Sequence, residues 1–226
     1  MKNYIIFDCY QTLIYKKNLE KIVQKFVAQE LGSRVEIKLI KRAYELIYYR
    51  YKFLHPRFKS ASDRRNFYIK YNQELLSIIG FEISSKQALK LNGMLKKSSY
   101  AVYADSLSIL KYFKQNKIPL GLIANWTDTL ANVLDKLNLN KYFEFIYSSH
   151  DLKIDKPNPK IFEKALISVK GKYDKIYYIG NDYGLDIIPA RQAGLTPVLV
   201  DRDNSYAAKI NCLKIKNLNE LKKIIK

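Results

Sequence analysis

Asp8 and Thr12 stand four positions apart, directly after the short apolar run Tyr4–Phe7. A carboxylate at the tip of a buried strand, with a hydroxyl close behind it, is a candidate nucleophile. Further along come Asn125 in "ANWTD", Lys156 in "KIDKPNPKIF", and Asp182 and Asp186 in "IGNDYGLD". Each piece alone is weak. A strand-end Asp is often a turn residue, a Lys near Pro is usually surface, and Asp residues four apart often mark a helix start stabilised by its dipole. A nucleophile, an amine and two acids become chemistry only if the fold brings them to one edge.

The elements that must do so can be read from periodicity. Five apolar runs are candidate strands: Tyr4–Phe7, Pro119–Ala124, Phe143–Tyr147, Ile176–Ile179 and Pro197–Val200. Helical patterns lie between the later ones. Leu107, Leu110 and Phe113 follow Asp105, a candidate N-cap; Leu130, Val133, Leu134 and Leu137 follow Asp128 in the same way. Ile161, Phe162, Ala165, Leu166 and Val169 follow "NPK", where Asn158 suits the cap and Pro159 the first turn. Strands alternating with such helices predict an α/β, Rossmann-like parallel sheet covered on both faces. Residues 16–99 break the rhythm with amphipathic helical patterns only, such as Ile22, Phe26 and Val27, then Leu39, Ala43, Leu46 and Ile47. The expected organisation is therefore a core of residues 1–15 and 100–226 with a helical cap, 16–99, inserted after the first strand. Ligand sites in open α/β sheets lie outside the carboxyl ends of the strands, so an insert rooted there is placed to act as a lid.

Composition narrows the class. At 226 residues with 48% hydrophobic content the chain is no disordered tail. The longest stretch free of Asp, Glu, Lys and Arg is Ile118–Thr127, half of what a membrane-spanning helix needs, so no membrane partner is expected. Asp8 interrupts the N-terminal apolar run, which does not read as a signal peptide. Cys9 and Cys212 are too few for a disulfide scaffold and have no His or Cys at metal-ligand spacing; they read as reduced thiols of a cytoplasmic protein. The formal charge of +19 attracts anions and admits nucleic acid as a partner without favouring it, because the lysines are spread along the whole chain. A small anionic substrate is the expected partner. Between Lys41 and Tyr71, Arg and Lys interleave with Tyr44, Tyr48, Tyr49, Tyr51, Tyr68 and Tyr71, either as a clamp for phosphate and a ring or as a packing face beside a wet one. His55 reads as a turn residue, and neither His55 nor His150 carries a catalytic role.

The ordered set resembles the haloacid dehalogenase-like hydrolase superfamily. "FDCYQTL" is similar to its first motif, "GLIANW" to the second, "DKPNPKIF" to the third and "IGNDYGLDIIPARQAGL" to the fourth. The helical insert matches the family's cap in position and type. The resemblance implies a hydrolase in which Asp8 attacks the substrate and forms a covalent ester, Thr12 orients Asp8, and Lys156 offsets negative charge. It also implies that Asn125 donates to a substrate oxygen and that Tyr10 lies at the substrate. In the phosphatase branch Mg²⁺ is held by Asp8, the Tyr10 carbonyl and an acid of the fourth motif, here Asp182 or Asp186.

The chain departs from the pattern at named positions. Tyr10 stands where phosphatases carry a second Asp as general acid/base; with an ordinary pKa near 10, a phenol is a poor substitute at neutral pH. Tyr at this position is what the 2-haloacid dehalogenases show. Against the dehalogenases, Ala124 replaces a Ser or Thr, Phe162 a Tyr and Tyr183 an Asn. Against the phosphatases, Asn181 occupies the first acid of the fourth motif, and Gln11 stands where Gly is usual. The leading expectation is a Mg²⁺-dependent phosphatase of a small phosphorylated metabolite. The alternatives are a metal-independent, dehalogenase-like hydrolase and a catalytically weak binding or regulatory member.

Overall fold

The computed structural model describes residues 2–53, 58, 60–127, 129–169, 171–206 and 210–225. The first strand, β1 (Asn3–Phe7), is buried along its whole length, with side chains alternating between two apolar layers. Ile5 and Phe7 join Ile109, Leu110 and Phe113 on one face; Tyr4 and Ile6 join Ile161, Phe162 and Ala165 on the other. A strand covered on both faces has to be apolar at every position, which is why the run before Asp8 shows no alternation.

Around β1 the sheet contains β4 (Leu120–Ala124), β5 (Phe145–Ser148), β6 (Lys175–Gly180), β7 (Thr196–Val200) and β8 (Leu213–Ile215). The order is β5-β4-β1-β6-β7-β8, and each neighbouring pair is parallel. Phe7 lies opposite both Leu122 and Ile179, so the ends of β1, β4 and β6 sit side by side. From β1 the chain builds outward to β4 and β5 and then returns to add β6 on the other side of β1, the place where open sheets form a crevice at their carboxyl ends. The sheet's helices are α5 (Ala104–Gln115), α6 (Leu130–Lys136), α7 (Ser149–Leu152), α8 (Lys160–Val169), α9 (Ile188–Gln192) and α10 (Leu221–Ile224).

Two compact units result: Met1–Tyr15 with Tyr100–Lys226, and Lys16–Ser99. The second contains α1 (Leu19–Leu31), α2 (Ile37–Tyr51), α3 (Ala61–Ile78) and α4 (Ser85–Lys96), which pack around Phe26, Val27, Ile40, Ile47, Leu75 and Leu91. The chain passes between units through β2 (Ile14–Lys16) and β3 (Tyr100–Val102), which form their own two-stranded sheet. Beside them Tyr103 N–H donates to the Leu13 carbonyl at 3.1 Å and Lys17 N–H to the Ser99 carbonyl at 2.9 Å.

The structure corrects several sequence readings. Asp105 is not the N-cap of α5; Tyr103 is, and Asp105 sits in the first turn, buried against Arg202. On α2 the buried stripe is Ile40, Ala43 and Ile47, and both Leu39 and Leu46 are exposed. The third strand begins at Phe145, because Asn140–Tyr142 form a 3-10 turn. Asn158 does cap α8, accepting from Lys160 N–H at 3.1 Å. Among the tyrosines of the insert, Tyr51 and Tyr71 pack edge to face 5.3 Å apart, which is the packing-face alternative, and Tyr49 is exposed. His55 and Asp128 lie outside the described residues. Among the described residues no helix is long and apolar enough to cross a membrane.

Candidate active site

Asp8 extends past the end of β1, its N–H donating to the Ile179 carbonyl of β6 at 2.8 Å. It is 6% exposed. Thr12 Oγ1 donates to Asp8 Oδ2 at 2.9 Å, and Lys156 Nζ donates to Asp8 Oδ1 at 2.7 Å. The two carboxylate oxygens are thus held from different directions.

Lys156 is buried, and its ammonium has three partners: Asp8 Oδ1, Asp186 Oδ1 at 2.6 Å and the Tyr178 hydroxyl at 3.1 Å. Burial alone would lower its pKa, but Asp186 and Asp8 outweigh that and hold it well above the ordinary lysine range. One cation cannot fully compensate two buried carboxylates. Burial accordingly raises the Asp186 carboxyl to about 6, against the pull of Lys156 and with Asp8 adding to the rise. Tyr178 is pushed far above the usual phenol range, by burial first and Asp186 second, so it stays protonated. Its hydroxyl lies 3.2 Å from Asp186 Oδ1 and 3.3 Å from the Ile123 carbonyl. Cys9, beside the nucleophile, is fully buried with its thiol pushed up by burial and by Asp8, and is therefore inert.

Asn125 is bonded to the backbone of Lys156. Its Oδ1 accepts from Lys156 N–H at 2.8 Å and its Nδ2 donates to the Lys156 carbonyl at 2.9 Å. The side chain at the end of β4 therefore fixes the backbone that carries the lysine. The Lys156–Pro157 peptide is cis. The Tyr10 ring is turned into an aromatic group, edge-on to Tyr100 and Trp126 with centroids 6.4 Å away in each case. Gln11 has φ of 62°, the left-handed region where a non-glycine residue is strained. That explains why Gly is usual there.

Asp182 and Asp186 both have internal partners. Asp182 Oδ1 accepts from Gly184 and Leu185 N–H at 2.8 Å each, capping a π-helical turn, Tyr183–Ile187. Asp186 turns toward Lys156 and Tyr178, and its Oδ2 accepts from Asp182 N–H at 3.0 Å. What faces the nucleophile from the end of β6 is Asn181. Its inward amide atom lies 3.0 Å from the Tyr10 carbonyl oxygen, 3.3 Å from Asp8 Oδ2 and 3.0 Å from Thr12 Oγ1. Among the described residues no three His, Cys, Asp or Glu side chains form a metal cluster. The donor set on offer is one carboxylate with neutral oxygens. It suits a hard cation that keeps most of its shell as water and substrate oxygens.

Two residues of this site escaped the sequence reading. Tyr178 lies within an apolar strand, where a tyrosine reads as core. Arg202, after β7, donates through Nη2 to the Thr12 carbonyl at 2.9 Å and through Nη1 to Asp105 at 2.7 Å, with its guanidinium 3.9 Å from the Tyr103 ring centroid. It pins the loop that carries Asp8 and Thr12, and nothing in "VDRDN" signals it.

A parallel sheet with this strand order and an Asp–Lys–Asp ionic centre at its carboxyl edge defines a class. The sequence profile of the haloacid dehalogenase-like hydrolases matches residues 5–200. The chain belongs to that family. A glyceraldehyde 3-phosphate phosphatase of Methanothermobacter thermautotrophicus is 28% identical over 131 residues, 54% of this chain and 58% of that protein. The chain spans between 38% and 58% of the length of the first curated relatives it matches. The fold is shared with YfnB of Bacillus subtilis, a HAD-hydrolase solved with magnesium (TM-score 0.72, 19% identity, 99% and 98% of the two chains). It is shared equally with an L-2-haloacid dehalogenase (TM-score 0.74, 12% identity, 99% and 98%).

Proposed function

We propose that the protein hydrolyses small phosphate esters through a covalent aspartyl-phosphate on Asp8. The observation that carries this reading is the Asp8 carboxylate itself. It is buried at the strand tip, oriented by Thr12 and neutralised by a lysine that cannot lose its proton. An anionic nucleophile meeting an anionic substrate needs that compensation. Asp8 attacks phosphorus and the bond to the leaving oxygen breaks; water then attacks the acyl phosphate, freeing phosphate and restoring Asp8. Asn125 and Tyr178 keep Lys156 on the reacting side. When bound, Mg²⁺ would add charge neutralisation at the phosphoryl oxygens, held by Asp8 and the Tyr10 carbonyl. With no acid at position 10 the leaving group receives no proton from that residue. Turnover should therefore be slow, about 10²–10⁴-fold below an enzyme with that acid, and least slow on acyl and aryl phosphates. In this reading the helical 16–99 unit is the family's cap insert.

Tyr10 favours a second reading, a dehalogenase-like hydrolase whose halide leaves unprotonated. The deciding measurement is a panel of phosphate esters and 2-haloacids assayed with Mg²⁺ and with excess chelator, repeated on Asp8→Asn. Mg²⁺-dependent phosphate release that falls at least about a thousandfold in Asp8→Asn is the expected result. Halide release in chelator with every ester intact would establish the dehalogenase reading instead. Silence of a folded protein in both assays would leave a binding or regulatory role.

A further inference from the structure

The amino end of the sheet carries a basic pocket. Helix α5 closes with Ile118 N–H donating to the Phe113 carbonyl at 2.9 Å, and Lys117 takes φ of 55°, at the left-handed position that glycine usually fills. The chain then enters β4, where the Leu120 carbonyl accepts from Glu144 N–H at 2.7 Å. Leu120 opens β4 and pairs with Ile5, so this end of the parallel sheet lies opposite the edge that carries Asp8. Between the end of α5 and the turn before β5 is a cavity of about 250 Å³. Ile118 and Phe143, both half-buried, are part of its apolar lining. Three exposed lysines, Lys114, Lys117 and Lys141, line it as well. Lys114 Nζ donates to the Lys141 carbonyl at 3.2 Å, and the Lys114 and Lys141 ammoniums lie over the Tyr142 ring, 5.5 and 5.7 Å from its centroid.

Among the described residues none of these three lysines is paired with a carboxylate. Glu144 is the one acid in the lining, which leaves an excess of two positive charges. Like charges gathered this closely repel, and an anion removes that cost. A phosphate monoester carries about −1.5 to −2 charges at neutral pH and three strong acceptor oxygens, which matches the excess. A bare phosphate would leave the apolar lining uncovered. The cavity falls just below the range of about 300–1,000 Å³ usual for drug-sized ligands, so its ligand is small. We infer that this pocket is a second binding site, for a small phosphate monoester whose apolar body rests on Ile118 and Phe143 and whose phosphate is held by Lys114, Lys117 and Lys141. The site stands apart from the chemistry assigned to Asp8 and does not depend on it.

The test is calorimetric binding of phenylphosphonate to the full chain, in excess chelator. This probe joins a phosphoryl dianion to a ring through a carbon–phosphorus bond that aspartyl hydrolysis does not cleave. Lys117→Gly should weaken binding by about tenfold or more, the scale of a lost hydrogen bond to a charged group. The same variant should hold or raise the melting temperature, because glycine suits the left-handed position, so a binding loss there is no folding defect. Lys141→Gln should weaken the probe by about as much, and the two changes together by more. Whatever hydrolysis the parent shows should persist at the parent's rate in both variants. Inorganic phosphate should bind clearly more weakly than phenylphosphonate. No binding by the parent at millimolar probe overturns the inference. So does binding that is unchanged in both lysine variants and lost in Lys156→Gln, which puts the probe at Asp8. Inorganic phosphate binding as tightly as phenylphosphonate overturns it too, since the pocket then attracts counter-ions without reading the apolar body.

Discussion

Lys156 owes its place to groups that never need to touch a substrate. Tyr178→Phe removes one of its three partners and takes away the single O–H that the Asp186 oxygen and the Ile123 carbonyl share. That change should cost about 1–3 kcal/mol of stability, measured by urea unfolding. A second residue-scale expectation concerns Asp186. Its carboxyl is raised from 3.8 to about 6, so the folded protein keeps this proton longer than the unfolded chain does. The resulting stability is present in full below about pH 4 and is lost as pH rises through about 6. Unfolding free energies across pH 4–8 should thus fall in the parent relative to Asp186→Asn; parallel curves would contradict it. At this scale the sequence was informative where a residue type is unexpected for its place. A carboxylate ending an apolar strand singled out Asp8, and its order with the amine in "DKPNP" singled out Lys156, though each alone was weak. Tyr178 was opaque for the opposite reason, since a tyrosine in a strand looks ordinary until its partners are known.

The segment from β6 into the π-helical turn carries the densest constraint among the elements. Gly180 ends the strand, and a Cβ there would meet Asp186 Cβ, Cγ and Oδ2, all at 2.5 Å. Gly180→Ala must push Asp186 away from Lys156, and overpacking of this kind costs about 1–3 kcal/mol. Thermal melting should show the loss, and the pH-dependent component assigned to Asp186 should shrink with it. The five long strands were legible because burial on both faces demands continuous apolar runs. Strand β8 was not, being three residues long with Leu213 exposed. Asp105 misled for a related reason. Spacing from Leu107 suggested a cap, whereas its partners, Arg202 and the Leu218 N–H, come from the far end of the chain, beyond the reach of any local pattern.

Across the molecule, the charge of +19 sets a long-range field around a site that expects an anion. Raising ionic strength should lower kcat/KM for a phosphate ester by about threefold or more, since screening shortens the Debye length from about 30 Å at 0.01 M to 8 Å at physiological salt. A flat profile would mark the lysines as a solvated surface with no part in capture. The division of the chain was read from a change in period, helix replacing strand at Lys16 and strand returning at Tyr100. The paired exit and return at β2 and β3 has a consequence of a different kind. Both ends of the insert are gathered at one doorway, tied by Leu13 to Tyr103 on one side and by Lys17 to Ser99 on the other. Seen from the sheet, the intervening stretch is a closed loop, and lengthening a loop that is already closed costs only about 0.6 kcal/mol per doubling. Selection can therefore exchange or resize residues 16–99 almost without cost to the sheet. Sheet and insert are thereby heritable as separate parts.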